Sequence, residues 1–200
     1  MNSETEDELM QATYSALCKN GYASLRMQDI ADESSKSKAT LHYYYDSKHE
    51  LLSEFLDYLY ESFAERIEAD EDEAPDEQLF ELIELLFERD DSDSQREFRT
   101  AILEVKAQGP YDDTYREKLE KFDRLLHDSI QAIVESGQKE GVFLTTASAD
   151  DIADFVVTVI NGAQTRHVSV NHDVGRTKRM LVQYITEQLL ADGATEGIPG

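Results

Sequence analysis

The stretch SSKSKATLHYYYDSKHELL, residues 34–52, gathers Lys36, Lys38 and His42 within seven positions and adds Lys48 and His49 shortly after. It does so in a chain of 43 acidic and only 19 basic (Lys and Arg) residues. Wound as a helix from Lys38, the segment turns Leu41, Tyr44 and Tyr45 inward. Lys38, Ala39, His42 and Tyr43 remain outside. One side suits burial; the other suits an anion.

Toward the N-terminus, Leu9, Ala12, Ala16 and Leu17 form an apolar stripe on a first helix. Leu25, Met27, Ile30 and Ala31 supply the core face of a short second helix, and a polar turn leads to the third. Two short helices joined by a tight turn, the second presenting small, basic and aromatic groups, make a helix-turn-helix. The outward chemistry suits duplex DNA. Lysines neutralise phosphates, Thr40 and Tyr43 offer hydroxyls, and Ala39 lets the backbone come close. Ser47 and Lys48 open a fourth helix, whose first N–H groups can hold a phosphate.

Toward the C-terminus the chain continues as helix. Only three prolines occur, and no Asn-Gly hairpin signal lies between alternating runs. Helices are expected near 4–20, 27–34, 38–45, 48–68, 76–89, 94–108, 112–139, 149–169 and 174–192. Four starts read as capping boxes, Ser3–Glu6, Ser47–Glu50, Ser94–Glu97 and Ser148–Asp151. Gly21 can end the first helix in the left-handed conformation, Gly109-Pro110 stops the sixth, and Gly137 and Gly141 bracket the end of the seventh. The acidic loop around Pro75 is the loosest internal link. The fold class is all-α: a three-helix helix-turn-helix head over 1–48 and a helical body over 49–200.

The head holds five Lys/Arg against eight Asp/Glu, and residues 49–200 hold fourteen against thirty-five, so the net charge of −24 sits mainly on the body. Acid spread over every segment resembles the habit of extreme halophiles, where molar salt screens charge within about 3 Å. No apolar run approaches the roughly 18–20 residues that cross a bilayer, and the acidic N-terminus is not a signal peptide. The single cysteine, Cys18, fits a reducing cytosol and reads as a small core residue. A cytoplasmic protein without a membrane partner is expected.

Residues 21–52, GYASLRMQDIADESSKSKATLHYYYDSKHELL, resemble the DNA-binding domain of TetR-family transcriptional regulators. Gly21, Tyr22, Ile30, Ala31, Ser37, Thr40, Leu41, Tyr44, Tyr45, Ser47, Lys48 and Leu51 match the family pattern in register. The resemblance makes Lys38, Ala39, Thr40, His42 and Tyr43 the groove-facing set, with Arg26, Gln28 and Lys48 on phosphates and Lys36 and Ser37 beside them. Four departures stand out. Ser34-Ser35-Lys36 replaces Ala-Gly-Val in the turn, so Ser35 or a neighbour must take an unusual backbone angle or the turn must reshape. The valine plug between helices 2 and 3 is lost with it. His42 stands where the family has a tyrosine, and Arg26 where it has a Thr/Ser cap.

The resemblance further implies a homodimer on a near-palindromic operator, repression as the commonest role, and release by a small-molecule effector. The dimer face would be Phe155, Val156, Val159, Ile160 and Ala163 with Leu181, Tyr184, Ile185 and Leu189, stripes that can equally close a core. Phe87, Ile102, Lys106, Phe122 and Asn161, on the helices of the body, are the effector candidates that the resemblance implies. No cofactor or metal is expected. His167, His172 and Asp173 are too loosely spaced, and Asp91, Asp93 and Gln95 are followed by Arg96 where a calcium loop needs glycine. The chain carries no His-Glu-x-x-His, phosphate-binding glycine loop or Gly-x-Ser-x-Gly, so an enzyme is not expected. The altered turn and the acidic head leave one rival open, a dimeric interaction module that has lost DNA binding.

Overall fold

The computed structural model of the protein describes residues 3–68, 72–88 and 93–191, the side chains of 3 and 93–95 excepted. Among these residues it is all-α, with nine helices: α1 Ser3–Ser24, α2 Met27–Asp32, α3 Lys38–Tyr44, α4 Lys48–Arg66, α5 Pro75–Phe87, α6 Asp93–Lys106, α7 Asp113–Glu140, α8 Ala149–Val170 and α9 Val174–Gln188. All nine expected helices are present, with ends shifted by a few residues. The candidate calcium segment around Asp91 and the Ser3 and Ser94 caps lie outside the described residues or side chains. No described helix is long and apolar enough to cross a membrane.

Packing divides the chain into two units that are not consecutive blocks: 1–63 with 90–122, and 64–89 with 123–200. In the first, Leu9, Leu17, Ile30, Leu41, Leu51 and Phe55 are buried together with Val105 of α6 and Tyr115 of α7. The helix-turn-helix therefore rests on one core shared by α1–α4, α6 and the start of α7. Each fully buried Leu, Ile or Phe contributes about 1.5–3 kcal/mol. In the second unit, Ile83 of α5, Ile130 and Val134 of α7, Val156 and Ile160 of α8 and Ile185 of α9 are buried. Gln164 donates to the Leu86 carbonyl at 3.3 Å, joining α8 to α5.

Gly21 interrupts α1 rather than closing it in the left-handed region, with φ 67° and ψ 166°. That angle turns the Tyr22 N–H onto the Glu104 carboxylate of α6 at 2.6 Å. Helix α7 runs through Gly137 and ends at Gly141, whose φ is 79°. Gly137 is needed for space: a Cβ there would lie 2.3 Å from the Phe143 ring. Phe143 in turn forms an antiparallel bridge with Leu190 that sequence periodicity gives no hint of. Leu144 N–H donates to the Leu189 carbonyl at 2.7 Å and Ala191 N–H to that of Val142 at 2.9 Å.

Candidate nucleic-acid interface

Helix α3 presents the face its sequence expects. Leu41 and Tyr45 are buried, Tyr44 is half-buried, and Lys38, Ala39, His42 and Tyr43 are exposed. Tyr43 is 82% exposed, with its ring edge-on to Tyr44 at 5.1 Å, so a large aromatic group stands in solvent with no core role. Burial, followed by the charges of Glu6, Glu54 and Glu50, pushes the Tyr45 phenol up to about 12, so it packs as a neutral ring. Ser37 caps the helix: its Oγ accepts the Thr40 N–H at 3.1 Å and lies 2.9 Å from the Thr40 hydroxyl. Both hydroxyls thus fix the start of α3.

The turn before α3 resolves the missing glycine by reshaping. Among the described residues Asn171 is the one non-glycine with positive φ, so Ser34, Ser35 and Lys36 all avoid the left-handed region. Ser34 Oγ accepts the Lys36 N–H at 3.1 Å. The Ser35 N–H is taken from outside the turn, by Glu8 of α1 at 2.7 Å.

The basic residues of the head are mostly committed to partners. Lys19 meets Glu33 at 2.7 Å, and Lys36 meets Glu8 at 3.0 Å. Arg26 starts α2 without a hydroxyl cap: its N–H donates to Asp29 at 2.8 Å and its guanidinium folds onto the same carboxylate at 3.2 Å. Gln28 donates along α2 to Asp32 at 2.8 Å. Lys48 donates to the Tyr22 carbonyl at 3.0 Å and sits 4.7 Å from the centre of the Tyr22 ring. Of the five Lys and Arg in residues 1–48, Lys38 alone is exposed and without a described partner. Of the expected DNA-contacting residues, Lys38 in the groove-facing set is therefore exposed and without a described partner, whereas the phosphate set Arg26, Gln28 and Lys48, and Lys36 beside it, must leave or share an existing contact.

Behind α4 lies a support that sequence spacing could not reveal. His49 stacks on Tyr115 at 4.8 Å and reaches Asp112 at 2.8 Å, and Tyr115 meets Tyr22 edge-on at 6.1 Å. Asp112 also accepts the Tyr115 N–H at 3.0 Å, capping α7. The Tyr115 N–H, and then His49, hold the Asp112 carboxyl below its ordinary value. Its folded value being depressed, its contribution is present above the ordinary aspartate range and is lost as pH falls through the lowered value. Asp112→Ala should lower stability by about 1 kcal/mol at neutral pH, as loss of a helix cap does. Melting the two proteins side by side should show the gap closing in acid; an equal gap at all pH values would refute the capping role.

The body candidates disperse. Ile102, Lys106 and Phe122 belong to the first unit and Phe87 and Asn161 to the second. Phe122 packs against Tyr60 and Phe63, with ring centres 5.5 and 5.9 Å away, and Phe87 is a buried core residue. Asn161 lines an open groove of about 550 Å³ with Asp123, Asp154, Thr158, Thr165 and Arg166. The α8 and α9 stripes divide by depth. Val156, Ile160, Ala163, Leu181, Ile185 and Leu189 are buried in the chain's own core. Phe155 and Tyr184 stay 42% and 43% exposed with rings 5.2 Å apart, Val159 is half-buried and Met180 is 58% exposed. His167 hydrogen-bonds the His172 carbonyl at 3.0 Å and Asp173 caps α9 through the Gly175 N–H, so these residues serve a helix junction.

Residues 9–55 match the family model for bacterial regulatory proteins of the tetR family, and residues 75–190 match that for the C-terminal region of BetI-type transcriptional repressors. No curated protein matches the sequence. Among solved structures, a TetR transcription regulator from Haloarcula marismortui is 34% identical, with 94% of this chain and 99% of that one covered and a TM-score of 0.83. A putative transcriptional regulator from Saccharomonospora viridis, solved in complex with choline, is 24% identical over 95% and 100% of the two chains, with a TM-score of 0.80. A putative TetR-family regulator from a Rhodococcus species is 18% identical over 92% and 97%, with a TM-score of 0.76.

Proposed function

This chain belongs to the TetR family of transcriptional regulators, and on that premise we propose that it represses transcription as a homodimer released from a near-palindromic DNA operator by a small-molecule effector. The observation that carries the DNA reading is the outward face of α3, where Lys38, Ala39, His42 and Tyr43 are exposed and Lys38 meets no acid among the described residues. The separate family matches over 9–55 and 75–190 support a DNA-binding head followed by a regulatory body, with the division at residue 48 one of sequence only, since α4, α6 and the start of α7 pack with the head. Phe155, Val159, Met180 and Tyr184 pair with a second copy, and two-fold symmetry sets the α3 helices about 34 Å apart, one turn of DNA. The protein acts in the cytoplasm, where its operator is.

The effector binds the body, at the Phe122 rings or the Asn161 groove, in a conformation whose heads no longer fit adjacent grooves. Effector and DNA then oppose each other by one coupling free energy, about 1–3 kcal/mol. The test is capture of genomic fragments by the purified protein in roughly molar KCl, the regime in which charge is screened within about 3 Å. An enriched near-palindrome is the expected result. Folded, dimeric protein that enriches nothing would favour the interaction-module reading.

The acid of the body is an adaptation to a saline cell, in keeping with the Haloarcula relative. DNA binding ordinarily weakens steeply with salt because counterions are released. Here cations are taken up between acidic protein and DNA, so the slope of log affinity against log salt should be shallow or positive. A steep negative slope up to molar KCl would defeat this expectation.

A further inference from the structure

We infer that Glu8 is a positioning residue for DNA recognition: its carboxylate holds the glycine-free turn ahead of α3 and, in the same contact, withholds Lys36 from the phosphate backbone. The inference rests on the DNA-binding reading above. Glu8 lies on α1, far from α3 in sequence, yet one carboxylate oxygen accepts the Ser35 N–H at 2.7 Å and the other meets Lys36 Nζ at 3.0 Å. The Glu8 and Lys36 side chains are only 31% and 30% exposed, so the pair is more sheltered than an open surface contact. The bonds to Ser35 first, and to Lys36 next, hold the Glu8 carboxyl at about 2, which keeps it ionised at any working pH.

The two roles separate chemically. In the turn, Ser34 Oγ fixes the Lys36 N–H, but nothing within the turn fixes that of Ser35. An acceptor from α1 supplies the constraint that a left-handed glycine would otherwise build into the backbone. A glutamine at position 8 still accepts from Ser35 but does not hold an ammonium as an ion pair. An alanine does neither. Released from Glu8, Lys36 stands two residues before Lys38, on the side of the turn from which α3 departs, and becomes a second free cation of the head.

The test uses the full-length protein. In the protein alone, amide exchange at Ser35 should be slow in the parent and in Glu8→Gln, and fast in Glu8→Ala. Fast exchange in the parent, or slow exchange in Glu8→Ala, overturns the turn-holding role. On a short duplex of random sequence, Glu8→Gln should bind severalfold more tightly, with a log–log salt slope more negative by about 0.9 for each head engaged. Adding Lys36→Ala to Glu8→Gln should cancel both changes, so that the double variant binds as the parent does. A parent Lys36→Ala that itself weakens binding by one phosphate contact shows that Glu8 withholds nothing. If no variant binds any duplex, the DNA reading falls, while the exchange at Ser35 still decides whether Glu8 sets the turn.

Discussion

Gly21→Ala should lower the melting temperature by roughly 5–15 °C, the counterpart of about 2–4 kcal/mol for a chain of this size. Two costs combine. The backbone at φ 67° and ψ 166° is one that residues with a Cβ scarcely adopt, a strain of about 1–3 kcal/mol. The added Cβ would also lie 3.0 Å from Glu104 Oε2, the oxygen that accepts the Tyr22 N–H. Losing a hydrogen bond to a charged group costs a further part of about 1.5–3 kcal/mol. Combining Gly21→Ala with Glu104→Ala separates the terms. If contact with Glu104 matters, the pair costs less than the sum of the singles; if backbone strain alone acts, the costs add. A melting temperature equal to the parent's would show that the kink is not needed.

Lys38→Ala with Lys48→Ala should reduce affinity for the captured operator by on the order of 100-fold or more, since a dimer loses four charge-assisted contacts to phosphate. The single changes should differ in kind. Lys38 is exposed and has no described partner, so its loss should weaken DNA binding and leave the melting temperature where it was. Lys48 holds the Tyr22 carbonyl at 3.0 Å, so its loss should also destabilise the first unit, by about 0.5–1.5 kcal/mol. An affinity unmoved by the double change, in protein that remains folded, would remove DNA binding from the proposed function and leave the interaction module.

Much of this protein is written in short windows. The apolar spacing that buries Leu41 and Tyr45 and exposes Lys38 and His42 lies within eight residues of sequence, as does the cap in which Ser37 accepts the Thr40 N–H. Such features depend on helical periodicity and on contacts three or four residues apart, which hold wherever the helix is placed. That is why the helix-turn-helix, the nine helices and the orientation of α3 were legible without coordinates.

The availability of each charge was not legible, because it depends on what a distant helix brings alongside. Lys36 and Lys38 look alike in sequence, yet α1 sets Glu8 against Lys36 and leaves Lys38 bare. Tyr22 is fixed by Glu104, 82 residues away, and Gly21 is required because of it. The α8 and α9 stripes show the same limit: periodicity marks Ile160 and Phe155 as apolar, but only packing within the second unit buries the first and leaves the second exposed. The sequence by itself determined the helices, their caps and the outward face of α3, since these are local. Tertiary structure alone decided which cations are free, which distant carboxylate crowds Gly21 and which apolar edge is open, since each depends on two segments meeting in space.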